Sequence, residues 1–135
     1  LAQERIVLFS THVVEDVAAA CDRVLVIAEG HLVFDGEPAA LARAAQGCVW
    51  EISVPTDETL MLPDDVIHVE ENLSAQGTLV RHKILAENSP DLRATPLDPL
   101  LEDGYMWLVA SARKREEIRR PDQENVALRD PAFAR

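Results

Sequence analysis

His12 is the residue of this sequence best placed to do chemistry. It lies in "FSTHVVEDV" (9–17), between the apolar run "RIVLF" (5–9) and the acidic, apolar-faced segment "VVEDVAAAC" (13–21). An imidazole at the carboxyl end of a buried strand sits where α/β sheets hold their ligands. Its ring N–H suits an anionic oxygen. Ser10 and Thr11 fit a turn and a helix cap. The other titratable side chains are less promising. Glu15/Asp16, Asp64/Asp65, Glu70/Glu71 and Glu102/Asp103 are adjacent acids. Neighbours on a strand face opposite ways, so these pairs read as solvated surface rather than two-carboxylate sites. His31, His68, His82 and His12 show no metal-ligand spacing with Cys21 or Cys48, so no metal site is expected. No GxSxG string or Cys/His nucleophile arrangement occurs. Trp50 and Trp107 are expected as core anchors rather than ligand contacts.

The elements that must position His12 are well punctuated. "RIVLF" is a continuous β-branched run of the kind covered on both faces in a parallel sheet. A helix is predicted after it, with Val14, Val17, Ala18 and Cys21 on one face and Thr11 as N-cap. "RVLVIAEGHLVFDGEP" (23–38) reads as two strands joined tightly at Glu29-Gly30. Pro38 opens the helix "PAALARAAQ" (38–46) and Gly47 stops it. "CVWEISV" (48–54) then alternates like a half-buried strand. "VIHVEENL" (66–73) and "GTLVRHKILAE" (77–87) form a second hairpin. The proline-rich "NSPDLRATPLDP" (88–99) cannot be continuous helix. A final helix, "LLEDGYMWLVASARKREEIRR" (100–120), carries Leu100, Leu101, Tyr105, Leu108 and Val109 on one face.

Charge narrows the function classes. The 135 residues carry a net charge of −11. Residues 1–55 hold 8 acids and 3 bases, residues 56–110 hold 11 and 3, and residues 111–135 hold 5 and 7. Such an acidic body repels phosphate backbones, so nucleic-acid binding is not expected. The basic stretch "ARKREEIRR" (112–120) reads as a solvated helix end. The two unpatterned cysteines read as reduced, buried and cytosolic. No apolar run approaches the roughly 20 residues of a transmembrane helix.

Residues 5 to 47 resemble the last third of an ABC transporter ATP-binding subunit. The likeness rests on "RIVLFSTHVVEDVAAACDRVLVIAEGHLVFDGEPAAL", with its strand, "STH", acid-containing helix, "CDRV", hairpin glycine and "DG-x-P". It implies that His12 is the switch-loop histidine, which contacts the γ-phosphate of ATP and helps organise the attacking water. It also implies ATP and Mg in the full-length protein, a membrane-spanning transporter subunit and a second ATPase subunit as partners, and a cytoplasmic place against the inner membrane. "TPLDPLLEDGYMWLV" (95–109) is similar to the "EPTLEDAYL" ending of drug- and antibiotic-exporter subunits, with Gly104 for the usual Ala and Leu100 for the usual Thr. Glycine inside a helix costs about 1 kcal/mol relative to alanine, so Gly104 is expected to mark close packing against the hairpin.

None of the five glycines begins a GxxxxGK[ST] loop. The opening at Leu1 likewise suggests an excised piece. The isolated chain is therefore expected to bind no cofactor tightly and to be inactive as an ATPase. The expected fold is α+β: a remnant of an α/β ATPase core at 1–47, an accessory domain of antiparallel strands and helix at 48–112, and a helix end and frayed tail at 113–135. The bare strand at 5–9 is expected to pair with a second copy or pack on its own hairpin. Two other readings stand beside this one. A subunit-association module would self-associate through residues 48–110. A small-ligand regulatory domain would enclose a pocket between the two hairpins.

Overall fold

The computed structural model describes residues 6–119, apart from the side chain of Glu15. In chain order the elements are α1 (Val14–Ala20), β1 (Val24–Ala28), β2 (His31–Gly36), α2 (Pro38–Arg43), β3 (Val49–Pro55), β4 (Ile67–Leu73), β5 (Leu79–Leu85), β6 (Thr95–Pro96) and α3 (Leu101–Arg119). The fold is α+β with antiparallel sheets. β1 and β2 form a hairpin, and a four-stranded sheet runs in the order β4-β5-β3-β6.

The first hairpin turns where the sequence places it. Glu29 and Gly30 both take positive φ, 50° and 74°, which matches a tight two-residue turn to the twist of its strands. Pro38 occupies the first turn of α2, where its missing N–H leaves nothing unsatisfied. α2 is shorter than the expected helix, ending at Arg43. Gly47 turns the chain toward β3 with φ 78°.

The four-stranded sheet is packed on both faces. Trp50, Ile52 and Val54 of β3 and Val80 and Ile84 of β5 share one face, with Ala86 beside them, covered by Leu60, Leu62 and Val66. Trp50 also donates from Nε1 to the Ala86 carbonyl at 3.0 Å. Val49 and Leu85 point the other way, onto Ala45, Met106 and Trp107. Both tryptophans are thus packed against cores. Ile52, Ile84, Leu85 and Val49 are fully buried, and burial of each such side chain stabilises the fold by about 1.5–3 kcal/mol.

α3 spans both sheets. Its first half packs on the four-stranded sheet and on α2, and Arg113 reaches Glu29 at the hairpin turn, 3.4 Å away. The buried side of α3 is not the stripe read from the sequence. Asp103 and Gly104 are its buried residues, whereas Leu100 stands 62% exposed ahead of the helix. Gly104 packs closely, but against α2 rather than the hairpin: a Cβ there would lie 1.8 Å from the Leu41 carbonyl oxygen.

Of the strand expected over 5–9, the described residues 6–9 form none, and Arg5 lies outside the described residues. Residues 6–10 carry no regular structure, and Ile6, Val7 and Leu8 are 99%, 83% and 87% exposed. A strand exists only through its ladder, and among the described residues no strand pairs with this one. With such exposure, Ile6, Val7 and Leu8 do not pack on the chain's own hairpin. Residues 120–135, which hold most of the expected tail, lie outside the described residues.

Candidate functional site

His12 sits at a bend between the irregular segment 6–10 and α1, and its ring is exposed. Thr11 is not the N-cap. Its Oγ1 accepts the Val13 N–H at 3.0 Å, a local turn that compacts the approach, while Val13 is the capping residue and has no side-chain bond to the helix. Among the described residues His12 has no hydrogen-bond or ion-pair partner. It stands alone rather than within a constellation.

Cys21 and Cys48 are both free thiols and half-buried, more open than the sequence suggested. Cys21 ends α1 and lines an open groove of ≈ 550 Å³ with Asp22, Pro38, Ala42 and Leu101. Burial pushes the Cys48 thiol above its ordinary range, with the Glu87 carboxylate adding to the shift. A second groove, between β1–β2 and α3, holds His31, Trp107 and Arg115. Neither groove is walled by both hairpins, as a small-ligand domain would require. His31 is occupied locally, donating from Nδ1 to the Glu29 carbonyl at 2.8 Å.

Asp103 corrects the reading of its acid pair as solvated surface. Its carboxylate is fully buried at the start of α3. Oδ2 accepts the Leu100 N–H at 2.8 Å, the reach-back half of a capping box. Oδ1 lies 2.7 Å from Nζ of Lys83 on β5, itself mostly buried. The charge is therefore compensated twice, by a cap and by a cation. This pair ties the helix to the sheet.

The structure gathers a second set of polar groups that the sequence did not group. His68 of β4 and His82 of β5 meet with Nε2 and Nδ1 2.9 Å apart, and Glu71 Oε2 lies 3.9 Å from the same Nδ1. All three ligand atoms fall within 4.8 Å of one another. The signal that could have found them was the cross-strand register, which pairs Glu71 with His82.

Comparison with known proteins adds one relation. A stretch of 61 residues is 41% identical to the Nod factor export ATP-binding protein I of Burkholderia lata. The match takes in 44% of this chain but spans only 20% of that protein. No family model matches the chain, and no solved structure does. No described helix is long and apolar enough to cross a membrane.

Proposed function

We propose that this chain is the C-terminal part of the ATP-binding subunit of an ABC exporter. The observation that carries the reading is the 41% identity over 61 residues to a Nod factor export ATP-binding protein. His12 then serves as the switch histidine, donating a ring N–H to the terminal phosphate oxygen of ATP. Phosphoryl transfer depends chiefly on positioning and on stabilising charge over the transferred oxygens, which a single well-placed imidazole can assist. The exposed, unpartnered ring supports this role, since a group that reports on a phosphate must be free to meet it.

His12 does not make a nucleotide site by itself. The chain has no glycine-rich phosphate loop, so ATP and Mg²⁺ would be held by other parts of the full-length subunit. Ile6–Phe9, exposed here, would enter the parallel sheet of that ATPase core. Residues 48–112 form an accessory domain in this reading, and α3 ties it to the core remnant. A membrane-spanning transporter subunit and a second ATPase subunit are the partners, with the protein held at the cytoplasmic face of the inner membrane.

The exposed apolar side chains of Met61, Leu73 and Leu92, within residues 48–110, also favour a second reading, a subunit-association module without an ATPase role. One experiment separates the two. ATP hydrolysis is measured for the full-length parent subunit and for its His12→Ala variant. The exporter reading expects a fall of about 100-fold or more, the scale of removing one donor to transition-state charge. A parent with no ATPase activity, or one indifferent to the substitution, refutes it.

A further inference from the structure

We propose that His68, Glu71 and His82 form a binding site for a divalent transition-metal ion of the zinc class. The inference stands on the β4–β5 geometry and does not depend on the exporter reading.

The strand register builds the site. In a regular strand, residues three apart face opposite ways, so His68 and Glu71 should diverge. The β4–β5 register shifts between His68 and Glu70, leaving Val69 as an extra residue. Above the shift His68 pairs with Ile84, and below it Glu71 pairs with His82. Ile84 and His82 are two apart on β5 and share a face, so the bulge turns both β4 side chains onto that face. Bulges of this kind re-aim side chains and are common beside functional sites. Glu70, the neighbouring acid, is engaged elsewhere by Asn72, which donates to it at 2.6 Å.

The donor geometry suits a small cation. The two rings meet edge-on, centroids 5.2 Å apart and planes inclined by 62°, so ring nitrogens rather than ring faces line the gap. Without a metal, one proton bridges the 2.9 Å between His68 Nε2 and His82 Nδ1. Tetrahedral zinc with Zn–N bonds of about 2.0–2.1 Å holds its ligand atoms about 3.3 Å apart. The nitrogens must therefore open by about 0.4 Å, and the Glu71 oxygen must close by about 0.6 Å on His82 Nδ1 and by up to about 1.5 Å on His68 Nε2. Glu71 is 60% exposed and can swing, while the His82 side chain is 12% exposed and held. Three protein ligands with one side open to water leave a fourth position for solvent. Two imidazoles and one carboxylate favour zinc, nickel or copper over calcium or magnesium, which prefer all-oxygen shells.

The test is a ZnCl₂ titration of the 135-residue chain, followed by calorimetry and by NMR of the histidine rings. The expected result is one ion bound, with the ring signals of His68 and His82 shifting and those of His12 and His31 unmoved. Loss of an outer-shell partner alone weakens metal sites by about 10–100-fold, so His68→Gln and Glu71→Gln should each weaken binding by more than about tenfold. Both positions are exposed, and circular dichroism verifies that the variants fold. Cobalt substitution should give d–d absorption without a thiolate charge-transfer band. The proposal is overturned by absence of saturable binding, by unchanged affinity in the doubly substituted chain, or by ion-induced changes confined to His12, His31 or the cysteines.

Discussion

Gly104→Ala should destabilise this protein, although helix propensity alone predicts the reverse. Alanine is favoured over glycine inside a helix by about 1 kcal/mol. The added methyl, however, would lie 1.8 Å from the Leu41 oxygen, 2.6 Å from its carbonyl carbon and 3.1 Å from the Ala42 Cα. Reaching ordinary contact at 3.4 Å needs a retreat of 3.4 − 1.8 = 1.6 Å, against main chain that has no rotamer to change. Overpacking of this sort costs about 1–3 kcal/mol, and a backbone obstacle belongs at the upper end. Subtracting the propensity gain leaves a net loss of about 2 kcal/mol. For a chain of this size that lowers Tm by about 6–8 °C. Thermal unfolding followed by circular dichroism reads the shift directly. Because the obstacle is a carbonyl, trimming the Leu41 side chain should not rescue the variant. An unchanged or higher Tm for Gly104→Ala would refute the close approach of α3 to α2.

Three further outcomes follow from the same geometry. Lys83→Met should cost about 3–5 kcal/mol, since it leaves the Asp103 carboxylate buried beside an apolar group; chemical denaturation of Lys83→Met, Asp103→Leu and the double variant should show the double variant less damaged than the singles predict together. Cys48 should alkylate more slowly in the folded chain than in urea at pH 8, because its raised pKa keeps it protonated; equal rates by mass spectrometry would contradict its burial. Arg93 holds the Asp91 carboxyl down to about 2 through side-chain and backbone hydrogen bonds. A depressed carboxylate stabilises the fold above its unfolded pKa and loses that contribution as pH falls through the folded value. Asp91→Asn should therefore flatten the loss of stability between about pH 4 and pH 2, measured by urea titration.

Punctuation was the legible part of this sequence. Gly30, Pro38, Gly47 and Gly77 act through their own backbone geometry, so the two hairpins and the start of α2 could be placed without knowing any neighbour. The alternation of residues 48–54 likewise reports a strand whose two faces meet different surroundings. What escaped depends on contacts between distant residues. An apolar run such as Ile6–Phe9 has the composition of a strand, but no composition supplies the strand beside it. β6 is only Thr95–Pro96, held by the Leu97 N–H to the Val49 carbonyl at 2.9 Å inside a proline-rich connector. Asp103 looks like half of an exposed acid pair until Lys83, twenty positions earlier, is brought to it. The His68–Glu71–His82 group is hidden for a different reason. Period-two reading assigns its members to opposite faces, and only the irregularity at Val69 unites them. The flanking residues single out His12 as a candidate, and its surroundings in the structure are solvent rather than a formed site.

The path of α3 has a mechanical consequence. Its origin is pinned at Asp103 by a cap and an ammonium, with Gly104 seated against the Leu41 carbonyl as a fulcrum. From there to Arg119 the helix is a stiff arm of about 24 Å at 1.5 Å per residue. A swing of about 5° at the fulcrum moves the far end by about 2 Å. Along that arm, Arg113 touches Glu29 across an ionic contact loose enough to slip. The tip of the small hairpin and the four-stranded sheet therefore meet the same helix, one through Arg113 and the other through Asp103.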